Sequence, residues 1–584
     1  MASSLRIQIH NSYDGNPRPF YPVVVIGAGA SGIAAGFQLK EKYNFDQFRI
    51  FDRLSGIGGT WWANKYPGVA CDVPTLFYSF SFAPNYTTKT IFPSGREYVE
   101  YLYSVVERAG IADKIQLNTE VSNVEWIEED SEWELQINYI NSIANSRLDR
   151  TETVRAKIVI SAVGILVEPN DWPADIRGRD SFTGQVIHSA RWPAAANLDG
   201  KDVVLVGSGC SAAQIAPALL QTNIKSLTQV MRSPPWLVPR AEEPGGKEAY
   251  ANWAPRIYGS VPLLGFSMRM LLCWVSEVVW YTAFQGKNDK LRQKEESLSL
   301  QHMRSIAPEK YHSILTPSYS LGCKRRVFDN DWLRSMSDPR FTLVNKSWVG
   351  AEGGNIMVGG AKDSEGFSET DTYHADTLIL ATGFDATQFL QPVSVLGRQG
   401  LSLHGLWATR AGAHAYMGTA VDGFPNFFMI MGPNTFAGHT SVMMGIENSV
   451  EYVLRLIQPV LSGHMETVEP STAAVQKWVH DIRRDMKSTV FEGCKSWYNG
   501  YGGYNSVMYP RSQLDFYLRC KFPRYRDWNR TLSRKGQRRQ LRRRATSVLL
   551  GAIALAACYG VIMYEEVGLS ADAMEYVTQG VQRI

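Results

Sequence analysis

Val23-Val-Val-Ile26-Gly27-Ala28-Gly29-Ala30-Ser31-Gly32 decides the fold: an apolar run enters Gly-x-Gly-x-x-Gly, and a helical pattern follows from Ile33 to Lys42. A strand, tight turn and helix in that order let backbone approach a pyrophosphate and aim free N–H groups at it. The glycines Gly27, Gly29 and Gly32 and the hydroxyl of Ser31 are therefore candidate contacts. A second apolar run, Phe48-Arg49-Ile50-Phe51, ends at Asp52, 20 residues after Gly32. A carboxylate there suits a ribose 2′-hydroxyl.

The pattern recurs at Asp202-Val-Val-Leu-Val206-Gly207-Ser208-Gly209-Cys210-Ser211-Ala212. Two such units imply two dinucleotides, with Gly207, Ser208, Gly209, Ser211 and Ala212 around the second. The strand pattern Ser226 to Met231 ends not on an acid but on Arg232 and Ser233. Arginine at that place fits a 2′-phosphate and so favours NADPH over NADH.

Between the two turns lies Phe182-Thr-Gly184-Gln-Val-Ile-His188-Ser-Ala-Arg-Trp192-Pro193. Here the chain resembles the type I Baeyer-Villiger monooxygenases, within the wider flavin-containing monooxygenases that use FAD and NADPH. A second family signature is matched at Gly58-Gly59-Thr60-Trp61, Tyr66-Pro67-Gly68 and Asp72. The glycines let backbone pass close to a flat ring, and the tryptophans supply apolar contact. Gly59, Thr60, Trp61, Tyr66 and Asp72 join the candidate cofactor contacts.

What the resemblance implies is specific. In Gly322-Cys-Lys324-Arg325-Arg326 it assigns catalysis to Arg325 and contact with the 2′-phosphate to Lys324, leaving the part of Arg326 open. Asp72 becomes the partner of Arg325. Ala381-Thr-Gly-Phe-Asp385 and Gly423 to Asn434 resemble segments that complete the flavin domain, and Trp497 lies in a segment resembling one that covers bound NADP. The reaction implied is oxidation of a lipophilic ketone to an ester or lactone by O2 through a C4a-peroxyflavin. A fixed arginine favours an anionic peroxide without acting as an acid. An N- or S-oxygenating enzyme is the alternative, and an NADPH oxidase or flavin reductase that oxygenates nothing is the alternative from another class. His188 is read as a linker residue between the nucleotide halves, not as an acid, base or metal ligand.

The expected fold is α/β, with two Rossmann-like dinucleotide-binding domains for FAD and NADP, a helical insertion and a C-terminal transmembrane helix. The boundaries run 20–160 and 381–520 for the FAD domain, 168–235 and 319–380 for the NADP domain, and 236–318 for the insertion. A basic juxtamembrane linker occupies 521–544, a transmembrane helix 545–564 and a short tail 565–584. Arg269 and Glu277 interrupt the apolar stretch Val261 to Phe284, which argues against a second spanning helix. Met1 to Asn16 lacks the apolar core of a signal peptide.

The 584 residues suffice for about four domain-sized cores, and a net charge of +4 gives no sign of nucleic-acid binding. Seven cysteines stand without metal spacing or a Cys-x-x-Cys pair, which removes the dithiol of disulfide reductases and fits a reducing compartment. Ala545 to Tyr564 carries no charge over 20 residues, and eleven basic residues against one acid precede it from Lys521 to Arg544. That bias places the enzyme domain on the cytosolic face of a single-pass anchor, as in the endoplasmic reticulum. An anchor and an aromatic-rich insertion point to a lipophilic substrate, such as a terpenoid or polyketide intermediate of secondary metabolism.

Overall fold

In the computed structural model, residues 19–141, 146–359, 362–363, 366–367, 370–494, 496–500 and 503–567 are described. The N-terminal stretch Met1 to Asn16 and the tail from residue 568 fall outside them. The chain forms two compact units, one reaching to Ile457 and including Glu469–Asn529, the other made of Gln458–Val468 and the chain from Arg530.

Two sheets organise the first unit. The larger has eight strands: Ser394–Leu396, Thr119–Ile127, Glu132–Asn141, Ser146–Ser161, Phe20–Ile26, Phe48–Phe51 and Ile115–Gln116 lie in that order, with Phe427–Met429 branching onto Ser146–Ser161. Phe20–Ile26 pairs in parallel with Phe48–Phe51 and with Ser146–Ser161, so Ile26 sits beside both Phe51 and Ser161. Val23, Val24 and Val25 are fully buried, as expected of a parallel strand covered on both faces.

The smaller sheet is wholly parallel, in the order Phe341–Val344, Ser226–Val230, Asp202–Val206, Thr377–Leu380 and Gln185–His188. Each glycine turn therefore leaves the carboxyl end of a central parallel strand, where open α/β sheets bind their ligands. The expected helices follow the turns, at Ala30–Tyr43 and Cys210–Leu220.

The insertion leaves and rejoins the smaller domain through one parallel pair, in which Leu237 faces Val327. Between lie the helices Lys247–Ser260, Pro262–Val279 and Asp289–Ile306. At the other end of the chain, the basic stretch read as a linker is ordered. It forms the strand Trp528–Leu532 and then, from Arg534, the start of one helix that runs on to Val567. From Arg534 on, Arg, Gln, Leu and Ala are good helix formers, and no proline interrupts them.

The larger sheet buries its far face around Trp133. This residue is fully buried, its ring lies 5.6 Å from that of Phe427, and its Nε1–H donates to Pro425 O at 2.8 Å. Trp133→Ala would open a cavity and leave that carbonyl without its donor, so a loss of about 3–5 kcal/mol is expected. A shift of the urea midpoint worth less than about 1 kcal/mol would show that this junction is not a main support of the domain.

Candidate active site

The two turns share one geometry. A Cβ on Gly27 would stand 2.6 Å from Ala162 O, and one on Gly207 would stand 2.5 Å from Ala381 O, both at positive φ. Each turn thus presses against the end of a neighbouring strand, and only glycine permits it. Gly32 and Ala212 serve the helix packing instead of the cavity wall. A Cβ on Gly32 would collide with Gly27 O at 1.8 Å, and Ala212 is fully buried among the apolar residues under the second sheet. Their reading as direct cofactor contacts is corrected accordingly. The motif marks them because the helix must lie close to its strand.

One cavity of about 1950 Å³ runs along both turns. That exceeds the 300–1,000 Å³ of an ordinary small-molecule pocket and leaves room for two dinucleotides. Its wall contains Gly27, Gly29, Ser31, Asp52, Gly59, Thr60, Trp61, Tyr66 and Asp72 on one side. Gly207, Ser208, Gly209, Ser211, Arg232, Ser233, Lys324, Arg325 and Trp497 complete the other.

The cradle fits the two nucleotides on its own evidence. Neither Ala30–Tyr43 nor Cys210–Leu220 has a side-chain cap or an acid in its first turn, so both N-termini are left for an anion. A Cβ on Gly209 would meet nothing within 4 Å, which leaves the second turn open to the cavity. Gly29 and Gly59 stand back to back, a Cβ on Gly59 lying 3.1 Å from Gly29 Cα.

Asp52 is 7 % exposed and braces the first turn: Ala28 N–H donates to its Oδ2 at 2.6 Å and Leu54 N–H to its Oδ1 at 2.8 Å. Burial raises its pKa, and the two N–H donors oppose that rise.

Arg325 and Asp72 meet as the resemblance implied. Arg325 Nη2 donates to Asp72 Oδ2 at 2.5 Å, and the guanidinium remains 48 % exposed beside the cavity it lines. The Asp72 carboxylate beside it holds Arg325 well above its ordinary pKa, so the cation is permanent. Arg326 turns the other way: it does not line the cavity, and its guanidinium lies 5.7 Å from the centre of the Phe284 ring.

Lys324 reaches the second nucleotide turn, its Nζ donating to Ser233 Oγ at 2.9 Å, while Ser208 Oγ donates to Ser233 O at 2.9 Å. Burial and the charge of Arg232 both lower the pKa of Lys324. An anion placed between the two cations would relieve that repulsion.

The segment Tyr66 to Gly68 does more than its glycine pattern suggested. Tyr66 OH donates to Gln214 Oε1 at 3.0 Å, Gln214 Nε2 donates to Ala70 O at 2.9 Å, and a Cβ on Gly68 would meet Gln214 O at 2.5 Å. The signature thus docks the first nucleotide domain onto the helix of the second. Gln214 was invisible in the sequence, because nothing local marks it as the receptor.

The segment Phe182 to Pro193 stays off the cavity wall. Phe182 is buried in the core of the smaller sheet, and Trp192 packs beside its helical face. A Cβ on Gly184 would strike Ala375 O at 2.8 Å, while Pro193 O accepts the Ala196 N–H. His188 accepts from Ala190 N–H at Nδ1 over 3.0 Å, so its Nε2–H faces Thr382 Oγ1 at 3.2 Å, and Thr382 Oγ1 donates to Asn170 O at 2.6 Å. Burial pushes its pKa down to about 4, so the ring is neutral and both nitrogens are engaged. Thr382 and Asn170 line the cavity, which puts His188 one residue behind it.

Two of the seven cysteines depart from the expected pattern of separate thiols. Cys323 and Cys494, 171 residues apart, form a disulfide, while Cys71, Cys210, Cys273, Cys520 and Cys558 are free. No spacing rule could find a pair closed only by the tertiary fold. The bond ties the residue before Lys324 to the segment that carries Trp497, and neither sulfur lines the cavity.

Comparison with known proteins gives this geometry its kinship. Residues 24–243 match the family model described as pyridine nucleotide-disulphide oxidoreductase. A Baeyer-Villiger monooxygenase of Streptomyces coelicolor is 31 % identical over 502 residues, covering 85 % of this chain and 89 % of that protein. Among solved structures, an oxidized steroid monooxygenase bound to NADP aligns with a TM-score of 0.72 at 25 % identity, over 88 % of this chain and all of that one. A cyclohexanone monooxygenase from Rhodococcus sp. Phi1 bound to NADP+ aligns with a TM-score of 0.70 at 25 % identity, over 89 % of this chain and all of its own. With two glycine turns opening on one cavity and an arginine-aspartate pair between them, the chain belongs to the Baeyer-Villiger monooxygenase family.

Proposed function

We propose that this chain converts a lipophilic ketone to an ester or lactone, using FAD, NADPH and O2, while held at a membrane by its C-terminal helix. The observation that carries the oxygenase reading is the Arg325–Asp72 pair, a permanent cation fixed at 2.5 Å inside the cavity that joins the two nucleotide turns. When bound, FAD reduced by NADPH supplies an activated oxygen atom from O2. One atom enters the ketone and the other leaves as water.

The first turn, with Gly27, Gly29 and Ser31, would hold the pyrophosphate of FAD, and Asp52 behind it keeps the turn in shape. Gly59, Thr60 and Trp61 would flank the flavin. Gly207, Ser208, Gly209 and Ser211 would receive NADP, with Arg232, Ser233 and Lys324 at its 2′-phosphate and Trp497 covering it. Arg325 would stabilise negative charge on the reacting oxygens without giving up a proton, because its pKa lies far above neutrality. Asp72 orients the guanidinium and keeps it in place.

Single-pass anchoring is supported by the last helix, where an 18-residue window within Arg534–Ile562 has a mean hydropathy of 2.0 and is not buried, and the basic stretch before it supports a cytosolic enzyme domain. The charge-free run Ala545 to Tyr564 is about the length of a bilayer core.

Arg325→Ala should still bind FAD and NADPH but lose about 10²–10³-fold in ester formation. Product analysis on cyclic and steroid-sized ketones reads this directly, and wild-type lactone yield from that variant would remove Arg325 from the mechanism. Arg232→Ala and Lys324→Ala should each raise KM for NADPH about 10- to 100-fold, the worth of a charged hydrogen bond, with KM for NADH little changed. If the NADPH/NADH ratio of kcat/KM stays as in the parent, neither residue reads the 2′-phosphate.

A further inference from the structure

The helix Pro262–Val279 is built inside out. Its two charged residues point into the protein. Arg269 donates through Nη1 to Leu76 O at 3.1 Å and Ser79 O at 2.6 Å, and Glu277 accepts the Gln513 N–H at 3.0 Å. Gly265 fits against the Tyr86 ring, and Ser276 Oγ lies 3.2 Å from Thr440 Oγ1. Yet Leu263 is 71 % exposed and Trp274 65 %, with Phe266, Met270, Leu271 and Val278 also on the outer face. A helix on the surface of a water-soluble domain shows the reverse order.

A second stripe adjoins it. Glu277 meets the N-terminal end of the helix Gln513–Lys521, whose Leu514 and Leu518 are exposed, and Phe522 just beyond is 71 % exposed. The buried side of this helix is Gln513, Phe516 and Cys520. Two neighbouring helices thus present apolar residues outward at helical spacing, and contiguous exposure of that kind marks an interaction surface.

We infer that this paired face of Pro262–Val279 and Gln513–Lys521 is a membrane-docking surface, seated at the headgroup–acyl boundary of an anionic bilayer. Three observations select lipid as the occupant. The outward face of Pro262–Val279 carries no charge, and the exposed Trp274 on it and Tyr281 just beyond it are types that favour the interface of a bilayer. Phe522 lies within the stretch Lys521 to Arg544, whose eleven basic residues complement anionic headgroups. The same chain then enters the charge-free run Ala545 to Tyr564, and a covalent tether of this kind raises the local concentration of the bilayer at the face.

The surface also lies close to the chemistry. Ser276 touches Thr440, and Thr440 lines the cavity. A ketone dissolved in the membrane would meet the enzyme at this face, one helix away from the site. The inference deepens the membrane reading given above, and its test is arranged to separate the two.

Full-length protein carrying p-benzoylphenylalanine in place of Leu271, Leu518, Leu555 or Val186 is mixed with phosphatidylcholine vesicles containing phosphatidylserine, irradiated and analysed by mass spectrometry. Lipid adducts at 271 and 518 should exceed those at 186, on the edge strand of the smaller sheet, several-fold. No excess over 186, or adducts to a second copy of the chain, would overturn the docking surface. Position 555 reads the anchor alone: an adduct there without adducts at 271 and 518 keeps the anchor and sinks this inference, and the opposite pattern does the reverse. A milder variant guards against misfolding. Brominated lipid should quench the tryptophan fluorescence of Trp274→Phe measurably less than that of the parent, and equal quenching counts against the face.

Discussion

Everything at the site depends on the contact between Arg325 and Asp72, which joins segments 253 residues apart and places a cation between two nucleotide turns. Neither group is deeply buried, so the pair adds little to stability. Its value is positional. Arg325 follows directly on the Lys324 that reaches Ser233, and Asp72 closes the segment that Tyr66 and Gly68 dock onto the Cys210–Leu220 helix. One ion pair therefore fixes the register between the two halves of the cavity, and the Tyr66–Gln214 hydrogen bond holds the same register a few residues away. A shift of either half would move the cation relative to both turns at once.

The sequence shows the turns because their constraints are local. Gly27 and Gly207 must approach Ala162 O and Ala381 O, and only one residue type allows that, so the pattern stands in the text of the chain. The same pattern overstated two positions, since Gly32 and Ala212 answer to helix packing and the motif does not distinguish backbone that faces a ligand from backbone that faces a strand. The placement of Arg325, Lys324 and Asp72 was legible only through family resemblance, because a basic run and a lone carboxylate carry no local sign of meeting. Gln214 and the Cys323–Cys494 bond were not legible at all, and of Thr382 only its place in the Ala381–Asp385 segment was, not its partners. Each is defined by a partner more than a hundred residues away, and hydrophobic periodicity says nothing about such pairs.

The insertion illustrates a subtler limit. Arg269 and Glu277 argue from sequence against a spanning helix, yet Pro262–Phe284 is long and apolar enough to cross a membrane, and both charges serve as inward polar contacts, to Leu76, Ser79 and the start of Gln513–Lys521. The charges that count against crossing a bilayer are the ones that free the other side of the helix to be wholly apolar. Composition averages the two faces and so hides the division, which only the burial of individual residues reveals.

The disulfide carries a consequence of another kind. A bond between Cys323 and Cys494 endures where thiols are kept oxidised, whereas the anchored orientation proposed from the basic stretch Lys521 to Arg544 would put the domain on the reducing side of a membrane. The two features demand opposite surroundings for the same enzyme domain. The covalent state of this one sulfur pair therefore records the surroundings of the enzyme domain: intact, it reports an oxidising compartment, and open, a reducing one in which the Trp497 segment is released from the arginine loop.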